Sequence, residues 1–275
     1  MDYIVLDIEF NGRKFASELP MEVIEIGAVR LDSSLQFVDE FSSLIKPVYY
    51  AKLNSFIKKK TGIPQEDIDA ADGFVKIIQR FMQWLNKSES FLLLTWGGED
   101  LKRIVYDTRM HKLDDTFWMS VQYYDLLKGY LRYKNVTNDV SVDAALTELG
   151  IIAEGNAHRA LDDARMTAEV FRATVDKLDL DRVQQYKDLY SNARERKVVK
   201  QAIRSLLLQK KTPTWELIAE RYLKDKVKLD DPRKAAELEA YFEAEKDKVP
   251  QPTQAQSPQD QASQQQVSES SPPST

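Results

Sequence analysis

The stretch Tyr3-Ile4-Val5-Leu6-Asp7-Ile8-Glu9-Phe10 is apolar apart from two carboxylates. β-Branched and aromatic side chains dominate it, and neither Gly nor Pro interrupts it, which predicts a buried β-strand. Alternate residues of a strand share a face, so Asp7 and Glu9 project together at the strand's end. Two anions so placed repel each other and lose hydration, which makes sense if a cation lies between them. Donors that are all oxygen favour a hard ion such as Mg²⁺ or Mn²⁺. Taken alone, an Asp-x-Glu pair also reads as a solvated turn, so the rest of the chain decides.

Further carboxylates occur at suggestive places. Phe91-Leu92-Leu93-Leu94-Thr95-Trp96 reads as a second buried strand that breaks at Gly97-Gly98, after which Glu99-Asp100 opens a helical pattern carrying Leu101, Ile104 and Val105. Asp100 thus falls at a strand-to-helix junction, where open α/β folds place ligands. Later, His158-Arg159-Ala160-Leu161-Asp162-Asp163 follows the loop signal Gly155-Asn156. Asp163 lies in the first turns of a helix whose apolar stripe is Leu161, Ala164, Ala168, Phe171 and Val175. Helical phase does not separate Asp163 from Asp162.

Taken together, Asp7-x-Glu9, Asp100 after a Gly-rich break, and His158-x4-Asp163 resemble the signature of DEDDh-type 3′-to-5′ exonucleases of the ribonuclease-H-like superfamily. Glu22-Val23-Ile24-Glu25-Ile26-Gly27-Ala28-Val29 resembles that family's second strand, and Lys60-Thr61-Gly62-Ile63 its "TGI" linker. The likeness covers about the first two thirds of the chain and is nearest to the enhanced-RNAi-type and sporulation-inhibitor-type branch. It implies that Asp7, Glu9, Asp100 and Asp163 hold two Mg²⁺ or Mn²⁺ ions and that His158 is the general base. A histidine suits that role because its unperturbed pKa of about 6.5 lies near working pH. The family spacing selects Asp163 over Asp162 and Asp100 over Glu99. Glu22 and Glu25 are read as structural residues or as contacts for the substrate's 3′ end, and His111 as an exposed helix-end residue. Candidate substrate contacts are Ile8, Phe10, Met21 and Trp96; an ordinary core or rim placement is the alternative for Met21 and Trp96.

The activity implied is hydrolysis of single-stranded RNA or DNA from its 3′ end, RNA ahead of DNA, releasing nucleoside 5′-monophosphates. A DNA proofreading or repair exonuclease is the alternative enzyme. A regulatory module that uses the fold to hold a protein partner is the alternative of another class.

Composition agrees with an enzyme of this kind. With 275 residues the chain can build one large core plus an appendage. It has no Cys, which excludes disulfides and thiolate metal sites. The first strand begins almost at Met1 and no apolar run is long enough to span a bilayer, so a cytoplasmic protein without a membrane segment is expected. The net charge of −5 argues against broad coating of DNA. That charge is uneven. Residues 1–182 carry 23 Lys+Arg against 30 Asp+Glu, whereas residues 183–248 carry 16 against 12.

Three regions follow: an exonuclease domain over 1–180, a basic helical extension over 181–248, and a Pro/Gln/Ser-rich tail over 249–275. The tail has too few apolar side chains to offset its ordering entropy and is expected to be disordered. The extension reads as helices with one packed and one basic face, beginning Arg194-Glu195-Arg196-Lys197; either a nucleic-acid-holding arm or a solvated surface fits that pattern. In the first region, strands are expected over 3–10, 22–31, 36–46, 91–96 and near 118–124. Helices are expected over 72–86, 99–110, 125–132, 141–149 and 160–177. The fold class is α/β: a mixed five-stranded sheet flanked by helices.

Overall fold

A computed structural model describes residues 1–12, 21–152, 158–224 and 226–248. The expected tail and the Gly155-Asn156 loop lie outside the described residues. The chain divides into two compact units, Met1–Lys187 and Asp188–Thr275.

The first unit runs β1 (Asp2–Asn11), β2 (Glu22–Leu31), β3 (Phe37–Leu44), α1 (Ser55–Thr61), α2 (Gln65–Ala70), α3 (Phe74–Leu85), β4 (Phe91–Thr95), α4 (Glu99–Met110), α5 (Thr116–Ser120), β5 (Gln122–Asp125), α6 (Leu126–Lys134), α7 (Val142–Leu149), α8 (Ala160–Thr174) and β6 (Gln184–Gln185). The strands form one sheet in the order β3-β2-β1-β4-β5-β6. β1 is antiparallel to β2 and parallel to β4, and β4 is parallel to β5. The sheet is therefore mixed, as expected, but has six strands. The sixth is a two-residue edge against β5, too short to leave an alternating pattern in the sequence. The expected strand near 118–124 is split: Thr116–Ser120 is helical and only Gln122–Asp125 joins the sheet.

Strand alternation sorts β1 onto two covered faces. Ile4, Leu6 and Ile8 point to one, where they meet Ile77 and Phe81 of α3, Leu101 and Ile104 of α4, and Trp118 of α5. Val5 points to the other, where Leu92 and Leu94 of β4 join it beneath Ala164, Ala168 and Phe171 of α8. Burying each large apolar side chain contributes about 1.5–3 kcal/mol, so these two layers dominate the stability of the unit. By the same alternation, Asp7 and Glu9 lie on the α8 side.

α8 comes unusually close to the sheet. Ala160, Ala164 and Ala168 recur at helical spacing on its buried side. Beneath Ala160 lies Gly27, where an added Cβ would stand 2.1 Å from both the Ala160 carbonyl carbon and the Leu161 nitrogen. Gly27 is the register partner of Asp7. A glycine at this one position thus lets the first turn of α8 rest beside the carboxylates of β1.

A second glycine sets the end of β4. Gly97 has φ 103°, a conformation that L side chains rarely adopt. It turns the chain so that Gly98 caps α4 and Asp100 falls in the first helical turn.

The second unit contains α9 (Ala193–Leu208), α10 (Trp215–Ile218), a π-helical turn over Ala219–Leu223, and α11 (Pro232–Lys246). Asn192 and Glu195 start α9 with a reciprocal capping box. Thr214 caps α10 and Asp231 caps α11, whose first residue is Pro232. Val199, Ile203 and Leu206 of α9 pack with Ile218, Leu223, Leu238 and Phe242 as a separate core. No described helix in either unit is long and apolar enough to cross a membrane.

Gly27→Ala is expected to lift the start of α8 off the sheet. The exonuclease activity implied by the resemblance should fall by about two orders of magnitude or more, because displacement of reacting groups by about 1 Å costs that much. Cleavage and thermal melting, measured together, check this; wild-type rates would mean that the close approach is dispensable.

Candidate active site

Glu9, His158 and Asp163 come together at the end of β1: each offers one ligand atom, and these atoms lie within 4.8 Å of one another. Glu9 is only 4% exposed, Asp163 is half-buried, and His158 is exposed. Asp7 and Asp100 join the same electrostatic cluster. Asp7 is raised well above the usual carboxylate range, first by burial and then by Asp100, Asp163 and Glu9. Burial pushes Asp100 up to about 7, although backbone hydrogen bonds from its own amide and from Ile8 oppose the shift. The Ile8 bond fastens the start of α4 to β1. Burial also pushes Glu9 up to about 7, against the opposing pull of Lys60, and it raises Asp163 despite the His158 amide.

α8 is anchored by Glu25, which is buried and lies opposite Glu9 in the β1–β2 register. Its carboxylate accepts from the Arg159 guanidinium at 2.8 Å and from the Ala160 amide at 3.1 Å. Negative charge at a helix N-terminus is favourable, so Glu25 both caps α8 and neutralises Arg159. His158, just before this anchor, has φ 71°, and its amide donates to Asp163 Oδ1 at 3.3 Å. The backbone turn thus ties the histidine to the carboxylate it accompanies.

Lys60, at the end of α1, supplies positive charge: its Nζ stands 3.4 Å from Glu9 Oε1. Among the described residues, the Lys60 ammonium opposes the rise of the Glu9 carboxyl without overcoming its burial. The donors are carboxylate oxygens and an imidazole, gathered on one side of a strand end. This set fits hard divalent ions.

The competing carboxylates are engaged elsewhere. Asp162 pairs with Arg165 at 3.0 Å, and Glu99 pairs with Lys102 at 2.8 Å and Arg103 at 3.0 Å. Glu22 is structural: its carboxylate accepts from the amides of Val48, Tyr49 and Tyr50. His111 is half-buried and stacks on Phe74 with ring centroids 5.1 Å apart, so its expected free exposure is corrected.

The four expected substrate contacts sit differently. Ile8 is 4% exposed within the α3–α4 core. Phe10 is half-buried beneath the Arg103 guanidinium, 5.2 Å from the ring centroid. Met21 is exposed at the start of β2, against Gly12. Trp96 is half-buried; its indole N–H donates to the Val140 carbonyl and its ring lies 5.7 Å from Tyr130. Sequence reasoning missed Lys60 as a partner of Glu9 and Arg159 as a partner of Glu25. The "TGI" segment pointed to Lys60's neighbourhood, whereas nothing local marks a pairing across 134 positions.

A family model described as "Exonuclease", RNase_T, matches residues 4–171, more than half of the chain. The chain therefore belongs to the RNase T exonuclease family. It is 26% identical over 179 residues to 3′-5′ exoribonuclease 1 of Mus musculus, an alignment covering 62% of this chain and 52% of that protein. The chain thus spans about half the length of that relative. To the probable 3′-5′ exonuclease KapD of Bacillus subtilis it is 27% identical over 176 residues, covering 62% of this chain and 82% of KapD. The fold matches the nuclease domain of 3′hExo, a DEDDh family member bound to rAMP, with a TM-score of 0.60 at 22% identity, covering 68% of this chain and 97% of that one.

The raised carboxyls fix the pH response of the metal-free protein. Their folded pKa values exceed the unfolded ones, so the folded state binds more protons between about pH 4 and 7. Stability should therefore fall as pH rises through that window. Asp7→Asn removes one mutually repelling charge and should raise the metal-free melting temperature at pH 8 by a few degrees, since about 1 kcal/mol moves a domain of this size ~2–4 °C. A lowered melting temperature would contradict the repulsion. Lys60→Met removes a competing cation and should tighten Mn²⁺ binding in a calorimetric titration; weaker binding would show that Lys60 orders the site instead.

Proposed function

We propose that this chain is a metal-dependent 3′-to-5′ exonuclease that acts on single-stranded ends, RNA ahead of DNA, and releases nucleoside 5′-monophosphates. The observation that carries this reading is the convergence of Glu9, His158 and Asp163 beside Asp7 and Asp100, with the carboxyls raised by burial and by one another. Membership of the exonuclease family supports the reaction class. The name of the mouse relative and the rAMP in the 3′hExo domain support RNA as the favoured strand.

Asp7, Glu9, Asp100 and Asp163 would hold two Mg²⁺ or Mn²⁺ ions. Such ions, when bound, polarise the scissile phosphate and lower the pKa of the attacking water. Asp7 interacts electrostatically with the other three carboxylates and would act with them as a ligand. His158, exposed and tethered through its amide to Asp163, takes the proton from water at an imidazole nitrogen. Attack at phosphorus then breaks the P–O3′ bond. The shortened strand keeps a 3′-hydroxyl and the departing nucleotide keeps the 5′-phosphate. The Glu25–Arg159 pair holds the start of α8 so that His158 and Asp163 keep their spacing to Glu9.

A time course on 5′-labelled RNA and DNA strands, with Mg²⁺, with Mn²⁺ and with chelator, tests the reading. A metal-dependent ladder shrinking from the 3′ end is expected, faster on RNA. Faster decay of DNA would favour the proofreading or repair reading. No cleavage of either strand by metal-loaded protein would favour the partner-binding module. Asp7→Ala or Asp163→Ala should lower the rate by about three orders of magnitude or more while the fold stands, equivalent to the several kcal/mol that metal ions supply. His158→Ala should cost about 10²–10⁴-fold in rate and little in metal affinity. A shifted metal titration instead would make His158 a ligand rather than the base.

A further inference from the structure

The second unit carries a charged surface that this chemistry does not use. α9 divides its charges by face. On the side that meets α11, Arg196 pairs with Glu237 at 3.5 Å, Lys200 with Glu245 at 3.2 Å, and Glu195 with Lys234 at 3.0 Å. On the other side Arg194, Lys197, Gln201, Arg204 and Leu208 succeed one another at alternating spacings of three and four residues, and Lys211 follows three residues after the helix end. Residues so spaced share one helical face. All six are exposed, Leu208 by 86%. Among the described residues, no carboxylate or aromatic ring pairs with Arg194, Lys197, Arg204 or Lys211.

This contrast is not a shortage of acids. Residues 188–248 contain 12 Asp+Glu against 15 Lys+Arg. Among the described residues, Glu237 and Glu245 pair with α9 on its α11 side, and the four cations of the outer side have no carboxylate partner. A face of this kind is electrostatically complete only against a polyanion.

We propose that the outer face of α9 binds the phosphate backbone of single-stranded nucleic acid at a position separate from the cleavage site. The inference rests on the exonuclease reading only for the choice of strand; the surface itself belongs to the second unit. From Arg194 to Arg204 the helix rises about 15 Å at ~1.5 Å per residue. A stacked strand presents one phosphate every ~3.4 Å, so several fall within reach of the row. Arg and Lys side chains are long enough to reach phosphates on either side of the helix axis, and the exposed Leu208 offers an apolar contact to a sugar or base. Contacts of this type carry no sequence information, which suits a surface that holds a strand of any sequence.

The test uses the full chain in chelator, so that no strand is cleaved, and reads fluorescence anisotropy of a 5′-labelled single-stranded RNA bearing a 3′-phosphate. Four phosphate contacts predict that log K falls with log salt at a slope steeper by about 2.8 than without them, at ~0.7 per contact. The combined variant Arg194→Gln, Lys197→Gln, Arg204→Gln and Lys211→Gln should lose that increment of slope and bind at least about tenfold more weakly at low salt. Arg204→Gln alone, which leaves the fold undisturbed, should remove about 0.7 of slope. The charge-keeping pair Arg194→Lys and Arg204→Lys should retain binding. Hydrolysis of a dinucleotide by the combined variant should match wild type, since so short a substrate needs only the cleavage site. Unchanged affinity and slope in the combined variant would overturn the proposal. So would competition by poly-glutamate equal to that by RNA of the same charge, which would assign the face to an acidic protein. Stripe-dependent binding by a chain that cleaves nothing would leave this inference standing and refute the exonuclease reading.

Discussion

Mutual repulsion among the carboxylates at the end of β1 is the constraint around which the first unit is built. Asp7, Glu9, Asp100 and Asp163 are supplied by three elements, and each raises or shares the charge burden of another. Desolvated like charges disfavour the arrangement, so the fold must offset that cost elsewhere. It does so with two apolar layers packed on the sheet and with tethers at the contact points. Gly27 admits α8, Glu25 grips Arg159 and the Ala160 amide, and an Ile8 hydrogen bond secures Asp100. The site is thus a cluster of buried like charges at the end of a well-packed scaffold.

Much of this was legible in the sequence wherever a local rule applied. The alternating run of β1 announced a strand with both carboxylates on one face. Helix 99–110 was bounded by Gly97-Gly98 and by its own apolar spacing, and it appears as Glu99–Met110. The choice of Asp163 over Asp162 could not be read from phase. The structure separates them by their partners: Asp162 faces Arg165, whereas Asp163 faces His158 and Glu9. The features that escaped are those made by distant partners. Lys60 meets Glu9 across 51 positions and Arg159 meets Glu25 across 134, and neither leaves a periodic trace. The strand expected near 118–124 is only partly formed, since Thr116–Ser120 is helical with Trp118 buried in the core.

The second unit follows another logic. Its core is small, and its helices are secured by caps and by ion pairs between α9 and α11. The charge excess seen along residues 183–248 is not spread evenly in space. Pairing neutralises one face of α9 and leaves Arg194, Lys197 and Arg204 without a carboxylate partner on the other, a distinction that counting charges in sequence cannot make.

Burial, reinforced by mutual repulsion, raises the carboxyls of Asp7, Glu9, Asp100 and Asp163, so divalent cations bound among them would displace protons. Calorimetric titration of the intact protein with Mn²⁺ at pH 7, repeated in buffers of different ionisation enthalpy, counts the protons displaced. The account predicts release of about one proton or more per chain at pH 7, diminishing toward zero by pH 9, because metal ligands must be deprotonated. Tight Mn²⁺ binding with no proton release at pH 7 would contradict it.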